Sequence, residues 1–60
     1  MKNFKYIAIQ PWGEVIAFLR KPTIRDDEIE NCWELQKGEL SITDYGFFNK
    51  NWRYTLEKIS

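Results

Sequence analysis

The sequence predicts a small α+β domain in which an antiparallel sheet packs against one helix. Three observations carry this prediction. Two segments rich in aromatic and β-branched residues flank a Pro-Gly turn near the N-terminus, an acidic segment has apolar residues at helical spacing, and the last third alternates like strands. Sixty residues are enough for one domain, spanning 1–60. The expected order is ββα followed by one to three strands.

The two N-terminal segments, 4–10 and 14–20, are joined by Gln-Pro-Trp-Gly and predict a β-hairpin. Proline suits the first central position of a tight turn, and glycine suits the position that closes the turn or forms a bulge. Both faces of this hairpin are apolar. One face carries Ile7, Ile9, Val15, Ala17 and Leu19, and the other carries Phe4, Tyr6, Ala8, Ile16 and Phe18. A single helix covers only one face, so we expect a homodimer to cover the other.

The segment after the hairpin has the signals of a helix near residues 24–37. Thr23 is placed to act as N-cap, with Asp26 at the capping-box position. Gly38 after Lys37 is a typical helix end. At spacings of three and four, the expected buried stripe consists of Ile29, Cys32 and Trp33.

The final third predicts strands separated by turns. Residues 40–43 alternate like a short strand and precede a turn at 43–46. The Phe47-Phe48 pair and residues 52–57 are also typical strand material, interrupted by the turn-like segment 49–51. This part of the chain is therefore expected to complete the sheet.

Charge is unevenly distributed although the net charge is zero. Residues 1–25 have five basic side chains and one acid, residues 26–44 have seven acids and one lysine, and residues 45–60 have three basic side chains and one acid. On the predicted helix, one acidic face would carry Asp26, Asp27, Glu30 and Glu34. Such a face is a solvated surface, a binding surface for a basic partner, or a carboxylate site for a metal or acid–base chemistry.

Catalysis and metal binding have little support in the sequence. One cysteine cannot form a disulfide within the chain, and one cysteine without histidine does not make a zinc site. Cys32 lies among glutamates, which disfavour a reactive thiolate, so we expect it to be a small buried hydrophobic residue. We expect no enzyme, no metal and no cofactor.

Aromatic residues supply the candidates for a protein interface. Trp12 lies at the hairpin tip, where little of its own fold can cover it, so the ring either folds back onto the sheet or anchors a partner. Tryptophan is enriched among residues that dominate interfaces. Phe47 and Phe48 are adjacent, so in a strand they point to opposite faces and one of them needs a second layer. Trp52, in the last predicted strand, completes this set.

Nucleic-acid binding is the alternative, through basic side chains beside exposed aromatics on a sheet. It would use Lys2, Lys5, Arg20, Lys21 and Arg53. A net charge of zero argues against it. The longest apolar run has five residues, which is too short to span a membrane, and the N-terminus lacks a signal-peptide cleavage site. Cytoplasmic localisation is therefore expected.

The chain resembles, in overall format, the small bacteriophage-encoded inhibitors of bacterial defence systems, such as the Hachiman anti-defence proteins. The resemblance rests on the length, the absence of a catalytic set, the opening MKNFKYIAIQ and the density of aromatic residues. It assigns no role to any residue. It implies an inhibitor that binds a host protein in the host cytoplasm, and the residues favour one that works as a homodimer. A small subunit of a larger complex is the other alternative.

Overall fold

The computed structural model describes residues 3–60 and shows an all-β protein. The predicted α+β class is wrong, because the part of the chain described contains no α-helix. Six strands form two antiparallel sheets, and one turn of 3-10 helix lies near the C-terminus. The strands are β1 (Tyr6–Ile9), β2 (Glu14–Phe18), β3 (Ile24–Asp26), β4 (Asn31–Trp33), β5 (Leu40–Asp44) and β6 (Glu57–Lys58), and the 3-10 turn is Trp52–Tyr54.

The predicted N-terminal hairpin is confirmed, including the assignment of its two faces. Tyr6 lies opposite Phe18 and Ala8 lies opposite Ile16 in the pairing of β1 with β2. These four side chains therefore share one face, as predicted. The backbone N–H of Gly13 donates to the Gln10 carbonyl oxygen at 2.9 Å, which closes the turn. Gly13 has a φ of 96°, a left-handed conformation that glycine adopts without steric cost.

The larger sheet has the strand order β5-β2-β1-β6, so β5 is an edge strand. The pairing of β5 with β2 shifts register, because Val15 lies opposite Thr43 and Ile16 lies opposite Ser41. Ile42 is the extra residue of this β-bulge. Every residue of β5 is exposed to solvent. The sheet therefore ends on one side in an uncovered strand.

Residues 24–33 form a second hairpin where the helix was predicted. Ile24 lies opposite Trp33 in the register of β3 and β4. The Glu34 N–H donates to the Thr23 carbonyl oxygen at 2.8 Å, so Thr23 continues the hydrogen-bond ladder and is not a helix cap. Gly38 lies in a tight turn in which the Glu39 N–H donates to the Gln36 carbonyl oxygen at 3.3 Å.

The Asp27 side chain stabilises the turn of this hairpin. Its Oδ1 accepts hydrogen bonds from the backbone N–H groups of Ile29, at 2.8 Å, and Glu30, at 2.6 Å. Aspartate side chains compete in this way with the helical hydrogen-bond ladder. Ile29, expected in the buried stripe, lies at the hairpin tip and is 90% exposed.

The second hairpin is attached to the sheet through the side chain of Gln10, which is completely buried. The Gln10 Nε2 donates to the Trp33 carbonyl oxygen at 3.0 Å, and its Oε1 accepts from the Trp33 N–H at 2.8 Å. The amide thus satisfies the donor and acceptor of one buried backbone residue, as a neighbouring strand would. This pair of hydrogen bonds holds β4 against the end of β1.

The hydrophobic core lies on one face of the larger sheet. Two tryptophan rings, and not a helix, cover this face. Trp33 and Trp52 meet edge to face, with their ring centroids 6.0 Å apart. They pack on the sheet residues Ala8, Ile16 and Phe18. The Trp33 indole N–H donates to the carbonyl oxygens of Ile9 and Trp52, so the ring is fixed by hydrogen bonds as well as by packing.

The C-terminal third confirms one of the predicted strands, since β5 covers residues 40–43. The Phe47-Phe48 pair lies outside the strands, and residues 52–54 form the 3-10 turn. The segment after β5 lies against the turn of the first hairpin, because the Tyr45 N–H donates to the Gly13 carbonyl oxygen at 2.9 Å. The strand predicted at 52–57 is wrong over most of its length. The last strand, β6, has two residues and pairs with β1.

Candidate functional site

The predicted acidic face does not exist as a helix face, because its residues lie along the second hairpin. Asp26 ends β3, Asp27 and Glu30 bound the turn, and Glu34 follows β4. All four are exposed. Residues 25–34 contain five acids and one arginine, a net charge of −4, so the hairpin is the most acidic part of the chain. The structure thus retains an acidic surface with a different geometry.

Arg25 neutralises part of this surface. Its Nε lies 3.1 Å from Oδ2 of Asp27, and its Nη1 lies 3.6 Å from Oε2 of Glu30. Both pairs are exposed and therefore contribute little to stability. The backbone N–H groups of Glu30 and Ile29, followed by the Arg25 side chain, lower the pKa of Asp27. Within residues 3–60, Glu34 has no ion-pair partner.

A groove runs between this hairpin and the tip of the first hairpin, where Trp12 lies. Its deeper part has a volume of about 120 Å³. The wider part, of about 400 Å³, continues towards Ile29. We call the deeper part the Trp12 groove. Its lining combines apolar and charged side chains: Trp12, Cys32, Trp33 and Leu35, with Arg25, Glu30 and Glu34. The structure thus brings one predicted interface residue together with two predicted acidic ones.

Glu14 holds the Trp12 ring in place at the edge of this groove. The Trp12 indole N–H donates to Oε1 of Glu14 at 3.0 Å, and the Ser41 hydroxyl donates to Oε2 at 2.6 Å. These hydrogen bonds, the one from Ser41 first, lower the pKa of the Glu14 carboxyl. Trp12 is still 47% exposed, so the ring is both oriented and accessible.

Cys32 lies on the floor of the groove with 6% of its surface exposed. Its predicted burial is confirmed, although on a strand and not on a helix. Burial raises the pKa of the Cys32 thiol, and the charge of Glu30 adds to this effect. The thiol is therefore protonated at neutral pH, which disfavours nucleophilic chemistry.

The three other residues predicted to form an interface differ in their exposure to solvent. Phe47 is 67% exposed and Phe48 is 69% exposed, whereas Trp52 is 3% exposed and belongs to the core. Trp52 is therefore not available to a partner in this fold. The edge of the sheet and the loop after it carry a set of large exposed side chains that we call the apolar strip: Leu40, Ile42, Tyr45, Phe47 and Phe48.

The basic residues considered for nucleic-acid binding are only partly brought together. The Lys5 N–H donates to the Phe18 carbonyl oxygen at 2.9 Å, so Lys5 lies opposite the end of β2, shortly before the exposed Arg20 and Lys21. Arg53 lies over the Trp52 ring, with Cζ 4.4 Å from the ring centroid. Lys2 lies outside the described residues.

Two residues that shape this region were not found from the sequence. Glu14 lies two positions after Trp12, and a carboxylate beside a solvent-exposed indole in a turn was a usable signal. Gln10 offered no such signal, because its partner Trp33 is 23 residues away. Among residues 3–60, no group of three or more acidic, cysteine or histidine side chains is arranged to hold a metal ion.

The same residues contain no helix long and apolar enough to cross a membrane. Comparisons with protein-family models, with curated proteins and with solved structures found no match to this chain.

Proposed function

We propose that this chain is a non-catalytic binding protein that acts through its surface as a homodimer and inhibits a host protein in the host cytoplasm. The apolar strip is the observation that carries the proposal. Its five large exposed apolar side chains all fall within residues 40–48, and exposed apolar groups that gather in one region mark interaction surfaces.

The area of the strip is close to what a dimer interface requires. Its three aromatic side chains are 60–69% exposed and its two aliphatic ones about half exposed. Together they offer on the order of 500 Å² of apolar surface. A stable interface buries about 800 Å² on each partner. Exposed polar residues of the same segment, such as Thr43 and Asp44, would supply the remainder.

A second copy is the occupant that fits this strip. Because β5 is an edge strand, its outer backbone groups are open to a further strand. The bulge at Ile42 interrupts a regular strand, so we expect the side chains of the strip to contribute more than backbone pairing.

The oligomeric state tests this proposal directly. We expect light scattering after gel filtration to give twice the monomer mass of 7.3 kDa at micromolar concentrations. The double substitution Phe47→Ser and Phe48→Ser should yield a monomer. Tyr54→Ser is the matched control, because Tyr54 is 86% exposed but lies outside the strip. A wild-type monomer at all concentrations would contradict the dimer.

The acidic hairpin is the proposed surface for the host target. Glu34→Lys reverses an exposed charge in the hairpin, and Glu57→Lys reverses an exposed charge on β6. We expect Glu34→Lys to reduce capture of the target from host lysate and to reduce the salt dependence of binding, whereas Glu57→Lys should change neither. Asp27 is unsuitable for charge reversal, because its carboxylate closes the turn. Equal capture by both variants would remove the acidic hairpin from the proposal.

A further inference from the structure

We infer that the Trp12 groove is a site for an arginine side chain of a protein partner. In this arrangement the guanidinium stacks on the Trp12 indole and pairs with the Glu34 carboxylate. The inference deepens the proposed function and rests on it for the assumption that the partner is a protein. Its own support does not use the apolar strip, with which the groove shares no residue.

The first support is that the indole is oriented before any partner arrives. The Glu14 carboxylate accepts the Trp12 indole N–H at 3.0 Å and is itself held by the Ser41 hydroxyl. An aromatic face whose position is already determined loses less conformational entropy on binding than a free one. Because Trp12 is 47% exposed, part of its surface remains available to a ligand.

The second support is the charge of the groove. Glu30, Glu34 and Arg25 line it, and the Arg25 guanidinium is directed to Asp27 at 3.1 Å and Glu30 at 3.6 Å. Glu34 is the groove carboxylate that has no ion pair within residues 3–60. A cation is therefore favoured and a phosphate is disfavoured. The apolar residues Cys32 and Leu35 suit the methylene stem that an arginine carries.

The third support is that this chain uses the same contact elsewhere. Arg53 lies over the Trp52 ring with its Cζ 4.4 Å from the centroid. Guanidinium groups stack on indoles in this way, and they are more weakly hydrated than ammonium groups, so they lose less on desolvation. These properties favour arginine over lysine as the occupant.

The test follows the Trp12 indole N–H by NMR in the full-length protein, with its signal assigned from Trp12→Phe. The probe is the peptide Gly-Arg-Gly-Arg-Gly, and its control replaces both arginines by citrulline, which has the same shape without the charge. We expect the arginine peptide to shift the Trp12 signal with a dissociation constant of roughly 1–10 mM, because a single side-chain site is weak. The signal of Trp52, which is buried and does not line the groove, should not move.

A matched pair of variants tests the role of the groove carboxylate. Glu34→Gln and Glu28→Gln remove the same charge from the same hairpin, but only Glu34 lines the groove. We expect Glu34→Gln to weaken peptide binding at least fivefold and Glu28→Gln to weaken it less than twofold. The inference is overturned by equal shifts with the citrulline peptide, by no shift, or by equal effects of the two variants. Because strip and groove share no residue, such a failure leaves the dimer measurement unaffected.

Discussion

The buried amide of Gln10 gives the strongest test of how this fold is held together. Its two hydrogen bonds, at 3.0 and 2.8 Å, join the backbone of Trp33 in the second hairpin to the first. Gln10→Leu retains much of the side-chain volume but removes the amide groups that bond to the Trp33 N–H and carbonyl oxygen. Each buried backbone group left without a partner costs about 1–3 kcal/mol, so the expected loss is about 2–6 kcal/mol. A domain of this size is stable by roughly 3–9 kcal/mol, so Gln10→Leu removes most of its stability.

Gln10→Glu distinguishes hydrogen bonding from packing. At neutral pH the carboxylate still accepts from the Trp33 N–H but faces the Trp33 carbonyl oxygen without a donor. Burial raises the pKa of such a carboxyl in the folded state. The variant is therefore closest to the wild type below the unfolded glutamate pKa of about 4.3, and it loses stability as the pH rises through the folded-state pKa.

The assay is urea unfolding followed by tryptophan fluorescence, at fixed protein concentration and at several pH values between 3.5 and 7. Taking the difference between Gln10→Glu and the wild type at each pH cancels the titration of other carboxyl groups, including Asp27 and Glu14. A loss for Gln10→Leu below about 0.5 kcal/mol would refute the reasoning, since it lies well under the expected cost of about 1–3 kcal/mol per lost partner. A difference for Gln10→Glu that does not change with pH would refute it as well.

Three further outcomes follow from the structure. A Cβ at Gly13 would lie 2.5 Å from the Phe47 carbonyl oxygen and the φ is 96°, whereas Gly46 has a φ of 74° and open space around it. In thermal unfolding, Gly13→Ala should therefore cost more than Gly46→Ala, which should lose about 1 kcal/mol. Asp27→Asn should destabilise the protein at neutral pH, and its difference from the wild type should disappear as the pH falls below 3.8 through the lowered pKa of Asp27; equal differences at pH 2 and pH 7 would contradict this. Cys32 should react with a thiol reagent at pH 8 much more slowly in the folded protein than in urea, because burial raises its pKa; equal rates would show that the thiol is accessible.

The candidate site could be predicted from the sequence only residue by residue. Trp12 was identified from its position at a turn, and Glu34 from the concentration of acids around it. That the two line one groove depends on the second hairpin lying beside the first. Trp52 shows the reverse case: its residue type suggested an interface, but the edge-to-face contact with Trp33 buries it.

By itself the sequence determined what depends on near neighbours in the chain. The hairpin of β1 and β2, its turn at Gly13 and the composition of its two faces follow from alternation and from turn residues. The burial of Cys32 also followed, because a protonated cysteine behaves as a small hydrophobic residue.

Only the tertiary structure decided whether residues 24–34 form a helix or a hairpin. Their apolar spacing matches a helix, but a helix would satisfy the Trp33 backbone within itself and leave the buried Gln10 amide without these two partners. As a hairpin, the segment gains those two buried hydrogen bonds and the packing of Trp33 on Trp52. These contacts join residues 19 or more positions apart, and buried contacts of this kind outweigh the differences of less than about 1 kcal/mol per residue that local helix propensity supplies.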